Sequence, residues 1–285
     1  MKKTYIYLLI SIVLMPMFSG CLNDLNTEPL TDEKLLPETA WKDSTAYEQF
    51  LAKIYAGLAL SGNEGPFGLP DITASDQGEA TFVRSYWNLQ ELSTDEVLCA
   101  EDNETMRGLQ FCQWNSSNNF VALNYTRIYM NVAYANEFLR ETSDAKLENR
   151  RVSNILKTKI QGFRAEAKAL RALSYYFLMD LYANIPFIDE NFAVGAGAGV
   201  EQKDRQFFFS WIESELKAVE GQLPLADKNH YGKVNDATVW MILSKMYLNA
   251  EVYIGQAKYT ECLTYLNKVL DAGFSIDPTY KNIFG

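Results

Sequence analysis

The sequence predicts a mostly α-helical fold, built from helical repeats and interrupted by a long loop-rich segment. Three observations predict it. Apolar residues recur at three- and four-residue steps over several stretches of 15–30 residues, which is helical spacing. Trp240, Leu243, Ser244 and Tyr247 follow the W-x2-L-small-x2-Y spacing of a tetratricopeptide first helix. Between the first two helical stretches, residues 62–119 are rich in Gly, Asn, Ser and Thr and hold no sustained period.

The elements follow in chain order. Residues 43–60 form the first helix, with Asp43 or Ser44 as cap and Tyr47, Leu51, Ile54, Tyr55 and Leu58 on one face. Residues 62–119 read as loops, and a loop region of that length inside a compact domain is usually functional. Helices resume over 124–141 and about 153–183. The second carries Ile160, Phe163, Ala167, Leu170, Leu173, Phe177 and Leu181 as its stripe, and Asn184-Ile185-Pro186 ends it. The glycines of VGAGAG (194–199) would cradle a phosphate only between a strand and a helix, and a flexible connector fits better. A helix over 206–220 precedes the pair 235–250 and 257–272. There Cys262, Leu266 and Val269 give the small-large-small spacing of a second repeat helix, set back by the VYIGQAK loop.

Residues 1–20 are laid out as a secretory signal peptide. Lys2 and Lys3 precede an apolar run from Tyr5 to Phe18, shorter than the ~20 residues of a membrane span, and Ser19-Gly20 are small. Cys21 then stands where the bacterial lipobox places its acylated cysteine, although Phe18 replaces the usual aliphatic residue. Residues 21–42 are expected to serve as lipid anchor and tether. Loss of the leader removes two lysines and no acid, so the mature chain is more acidic than the net −10 of the whole. Such a charge disfavours nucleic acid and anionic lipid as partners.

With Cys21 spent, cysteines 99, 112 and 262 are an odd number at no metal spacing, which argues against a disulfide scaffold and leaves a Cys99–Cys112 bridge open. His230 is the only histidine, in a loop-like NHYG stretch, so histidine zinc clusters and Cys–His nucleophile pairs are not expected. Glu101, Asp102 and Glu104 lack the spacing and central glycine of an EF-hand and read as a solvated acidic loop. No two carboxylates are singled out as a glycosidase pair. Neither catalytic residue, metal nor cofactor is expected. The 17 tyrosines, 16 phenylalanines and 5 tryptophans are mostly core, yet an exported, acidic, aromatic-rich chain also suits sugars, whose apolar faces stack on rings. Of the aromatics in the loop region, Tyr86, Trp87 and Trp114 are expected to bury against the helices.

Four stretches together resemble the SusD/RagB-type nutrient-binding lipoproteins of Bacteroidetes outer membranes. They are CLNDLNTEP at the lipobox, SDQGEATFVR followed by ELSTDEVL, FRAEAKALRALSYYFLMDLYANIPFI (163–188), and the YGKVNDATVW…LDAG pair (231–273). The resemblance covers nearly all of the chain, although members usually run to about twice its length, so the chain is expected to be the N-terminal half of a longer protein or a truncated gene product. It implies four tetratricopeptide-like helix pairs and a lid over a TonB-dependent, SusC-like porin. It also implies lipid anchoring at the outer-membrane surface and capture of oligosaccharide, or peptide in some members, by the loop-rich face. An assembly scaffold is the alternative. The family's ligand loops fall on 70–90 and 94–106, which places Asp76, Arg84, Glu101 and Asn103 as ligand-binding residues. The tryptophans of starch-binding members are absent after Thr94-Asp95-Glu96, where Cys99 and Glu101 stand instead, so starch is not the expected glycan. For Asp76 and Arg84, a loop-stabilising ion pair is the competing reading.

Overall fold

The computed structural model describes residues 40–63, 69–101, 103–192, 195, 199–224 and 231–284. The leader, Cys21, Asp102, most of VGAGAG and His230 lie outside the described residues. The chain divides into two units, Met1–Asp43 and Ser44–Gly285, and the architecture below is that of the second.

Its helices are α1 (Ala46–Ala56), α2 (Phe82–Glu91), α3 (Glu104–Gln110), α4 (Asn119–Glu141), α5 (Asp144–Asn149), α6 (Asn154–Tyr182), α7 (Arg205–Val219), α8 (Asp236–Leu248), α9 (Ala250–Ile254) and α10 (Tyr259–Asp271). A 3-10 turn covers Gln77–Ala80, and two-residue strands β1 (Ile185–Pro186) and β2 (Gln202–Lys203) pair antiparallel between α6 and α7.

Cross-contacts set the helix directions. Phe50 stacks on Phe138 at 6.1 Å and Lys53 lies over the Tyr134 ring, so α1 runs against α4. Tyr175 on Phe208 (5.2 Å) and Arg171 on Glu215 run α6 against α7, while Tyr247 on Tyr265 (5.7 Å) and Lys268 over Trp240 run α8 against α10. Lys159–Glu48 and Tyr55–Glu166 instead set α6 parallel to α1, as the first helices of successive repeats lie. Among the described residues the result is three tetratricopeptide-like pairs, α1/α4, α6/α7 and α8/α10, where the resemblance implied four. The segment 57–118 is an insertion inside the first pair, which begins at α1.

The long helix α6 sits at the centre. Ser153 caps it through Leu156 N, and Ala165, Ala167, Ala169 and Ala172 are all buried, letting the neighbouring helices approach closely. Tyr175, Tyr176, Leu178 and Met179 are buried as well, so the apolar surface is wider than the single stripe read from sequence, whose Leu173, Phe177 and Leu181 are only half-buried. Buried Arg171 donates to Asn136 Oδ1 (2.7 Å), Glu215 (2.7 Å) and Glu190 and lies 5.2 Å from the Trp211 ring. Tyr55 ties the three pairs together: its hydroxyl donates to buried Glu166 Oε2 (2.6 Å) and accepts from Val234 N (3.0 Å). Burial and that carboxylate raise the Tyr55 phenol far above its ordinary pKa.

Several expectations are corrected. The first helix is shorter than 43–60, and its N-cap is Thr45, whose side chain makes no capping bond. The 62–119 segment contains α2, α3 and the 3-10 turn, because the inward face of α2 carries Ser85 and Asn88 beside Phe82 and hides the period. Helix α4 starts at Asn119, five residues early, because Asn118 accepts from Phe120 N and Val121 N. Helix α5 was unforeseen. On α10, Cys262 and Tyr265 are buried and Leu266 and Val269 are only half-buried. Among the described residues Cys99, Cys112 and Cys262 are not in disulfides, so no Cys99–Cys112 bridge forms. Among the described residues no helix is long and apolar enough to cross a membrane.

Candidate functional site

The insertion is held on the scaffold by Arg127, which is fully buried on α4. Its Nε donates to Ala80 O (2.7 Å), Nη2 to Ser61 O (2.9 Å) and Nη1 to Asp71 Oδ2 (2.9 Å). Asp71 also accepts from Lys53 at 2.7 Å. Burial pushes the Asp71 carboxyl up, but the hydrogen bonds from Lys53 and Arg127 outweigh it and hold the group below the usual carboxylate range. Around this anchor, Asn119 Nδ2 donates to Glu79 Oε2 (2.9 Å) and Asn124 Nδ2 to Ser85 Oγ (3.0 Å). Two apolar clusters complete the attachment: Ile72, Ala80 and Leu123 on one side, Leu92, Met106, Leu109 and Phe120 on the other. The insertion is therefore a packed face and not a free loop.

On that face Asp76 and Arg84 meet. Arg84 Nη1 lies 2.6 Å from Asp76 Oδ2, and Asp76 Oδ1 accepts from Gly78 N (2.8 Å) as cap of the 3-10 turn. The Arg84 hydrogen bond, then the Gly78 amide, lower the Asp76 carboxyl pKa. Their side chains are 37% and 56% exposed, so water screens the pair and it contributes little to stability. A polyhydroxyl ligand can use the outward guanidinium and carboxylate atoms, since both groups keep unused donor and acceptor positions. Glu101 and Asn103 lie elsewhere, at the start of α3. Asn103 Oδ1 accepts from Thr105 N (2.9 Å) and Met106 N (3.3 Å), which commits its oxygen to capping, and Glu101 is exposed.

The three loop aromatics divide. Tyr86 is half-buried against Phe82 and Phe177, at 5.3 and 4.9 Å between ring centroids, and burial raises its phenol pKa. Trp87 and Trp114, expected to be buried, are 46% and 48% exposed. Helix α2 turns Trp87 outward because Phe82, Ser85 and Asn88 already occupy its inner face.

Trp114 belongs to a cleft of about 580 Å³ formed by α3 and the turn into α4. Helix α3 ends in a Schellman turn: Cys112 N donates to Leu109 O (3.1 Å) and Gln113 N to Gly108 O (2.8 Å). That turn puts Cys112 at φ +53°, the left-handed region where glycine is usual, and no glycine in the sequence announced it. Asn115 Oδ1 then accepts from Ser117 N (2.8 Å), and Asn118 Nδ2 donates to Thr105 O (2.9 Å), closing the turn back on α3. Phe111, 67% exposed, lines this cleft with Trp114, Arg107, Gln113 and Asn115. Arg127, Phe111 and Gln113 were missed by sequence reasoning. Among the described residues no group of three or more His, Cys, Asp or Glu is placed to hold a metal.

Fold and site together define a class: a tetratricopeptide-like helical scaffold carrying one anchored insertion that presents polar and aromatic side chains to solvent. A family model described as starch-binding and associating with the outer membrane matches residues 30–248. The chain is 30% identical over its whole length to the starch-binding protein SusD of Bacteroides thetaiotaomicron and covers 49% of that relative. Solved structures share the fold. Surface glycan-binding protein A from Bacteroides uniformis superposes with a TM-score of 0.64 at 20% identity, over 85% of this chain and 50% of that one. A laminarin-binding SusD-like protein gives 0.63 at 21% identity, over 84% and 48%. The chain belongs to the SusD/RagB family and spans about half the length of the curated relative it matches.

Proposed function

We propose that this protein is a glycan-capturing lipoprotein of the outer-membrane surface. It is anchored through Cys21, passes oligosaccharide to a TonB-dependent transporter of the SusC type, and carries out no catalytic step. The observation that carries the reading is the exposed Asp76–Arg84 pair on an insertion fixed by Arg127, because a rigid, solvent-facing pair of bidentate groups suits adjacent sugar hydroxyls. The names of the SusD relative and of the solved glycan-binding structures support it.

The test is native electrophoresis of the complete natural chain, made with a soluble start in place of residues 1–21, in gels containing plant, host and microbial polysaccharides. Retardation by at least one polysaccharide, weakened by Arg84→Ala, is the expected outcome. Mobility unchanged in every gel, with retention on immobilised peptides, would transfer the reading to peptide uptake. The exposed apolar residues Leu248, Val252, Leu263 and Leu270 on α8–α10 favour a second reading, an assembly scaffold contacting a protein. Binding to the transporter without binding to any glycan would support that one.

A further inference from the structure

The α3 cleft is set apart from Asp76 and Arg84. Arg84 lies in the first half of α2, whereas the cleft sits beside the far end of that helix, across the Leu92–Met106–Leu109–Phe120 cluster. Eight residues of helix separate Arg84 from Leu92, a rise of about 12 Å. The cleft's lining includes neither Asp76 nor Arg84, so it is a pocket distinct from that pair.

We infer that this cleft is a second saccharide subsite, for a neutral pyranose chain, with Phe111 and Trp114 as stacking surfaces. The inference rests on the glycan-capture reading and adds to it a site and a class of sugar. Four features carry it. Both rings line the cleft and are broadly exposed, Phe111 at 67% and Trp114 at 48%, so their faces are accessible to a ligand. A pyranose offers an apolar C–H face for stacking and hydroxyls in the ring plane, and the cleft pairs its rings with the amides of Gln113 and Asn115, each able to donate and accept. Its frame is set before any ligand arrives: the Schellman turn, the Asn115 turn and the Asn118–Thr105 bond fix the backbone that bears both rings. Charge selects the class of sugar. Glu104 and Arg107 both line the cleft and offset one another, and the chain as a whole is net −10, which repels uronic and sialic acids.

The volume of about 580 Å³ lies within the range of small-ligand sites.

The experiment is affinity electrophoresis of the complete natural chain in gels of starch, laminarin, galactomannan or xyloglucan, with pectin and heparin as acidic counterparts. Phe111→Ala, Trp114→Ala and the double variant are compared with Trp87→Ala, an exposed tryptophan outside the cleft. Circular dichroism confirms that each variant folds. On a neutral polysaccharide that retards the parent, the double variant is expected to lose at least tenfold in apparent affinity, with Trp87→Ala unchanged and neither acidic polysaccharide retarding the parent. A double variant that binds such a polysaccharide like the parent, while Arg84→Ala weakens it, would overturn the cleft and leave glycan capture standing. Retardation only by pectin or heparin would overturn the neutral-sugar assignment. Mobility unaltered by all six polysaccharides would overturn the cleft and the glycan reading together.

Discussion

Replacing Arg127 with methionine tests how the insertion is fastened. The side chain is fully buried and its guanidinium makes three hydrogen bonds, to Ala80 O, Ser61 O and Asp71. Methionine keeps the length of the stem but removes all three, which leaves Ala80 O without its donor at about 1–3 kcal/mol, while Ser61 O keeps the Asp71 amide. Asp71 keeps Lys53 but loses its buried cation, and breaking a buried pair from one side typically costs about 3–5 kcal/mol. These penalties overlap, so about 3–5 kcal/mol is expected in total. The cost falls on the insertion, because the pairings of α6/α7 and α8/α10 do not involve Arg127. Hydrogen exchange reads this directly. The Asp71 amide, bonded to Ser61 O at 2.8 Å, should exchange about 10²-fold faster or more in Arg127→Met, while amides of α6 and α8 stay protected. Unchanged exchange at Asp71, with a urea midpoint equal to the parent's, would refute the anchoring role.

Two further outcomes follow from the same packing. A Cβ on Gly57 would fall 1.8 Å from Asn131 Oδ1, so Gly57→Ala should destabilise by about 1–3 kcal/mol in thermal unfolding and be rescued by Asn131→Ala, which removes the clashing oxygen; a Gly57→Ala melting point equal to the parent's would contradict this. The Asp71 and Glu141 carboxyls sit below their unfolded pKa values, Glu141 because hydrogen bonds from Lys146 and Arg150 outweigh its burial. Their stabilisation is therefore complete at neutral pH and lost as pH falls from about 4 through the folded values. Urea midpoints measured from pH 7 to pH 2 should hold until about pH 4 and then drop, and a midpoint flat to pH 2 would exclude both carboxyls as contributors.

The parts of the fold that sequence revealed are those in which apolar periodicity and packing coincide. Helices α6, α8 and α10 repeat their apolar residues often enough to be placed within a few positions, and the Trp240–Tyr247 spacing marks the last pair. Helix α2 escaped because two of its inward positions are polar: Asn88, and Ser85, which accepts from Asn124, 39 residues on. Arg127 reads as one polar residue in a helical run, since the carbonyls it grips lie 47 and 66 residues upstream. The site was legible in part. Asp76 and Arg84 do meet, whereas Asn103 is occupied as a cap and the cleft turns on a left-handed Cys112 that no glycine signals.

The manner in which Arg127 holds the insertion has an evolutionary consequence. Two of its three contacts are with main-chain oxygens, which every residue type supplies equally well. Substitutions at Ser61 and Ala80 themselves leave those oxygens in place. The surface side chains between them can drift toward new ligands while the clamp goes on gripping the same backbone, provided Asp71 stays. One arginine inside the scaffold thus uncouples the diversification of the binding face from the folding of the molecule that bears it.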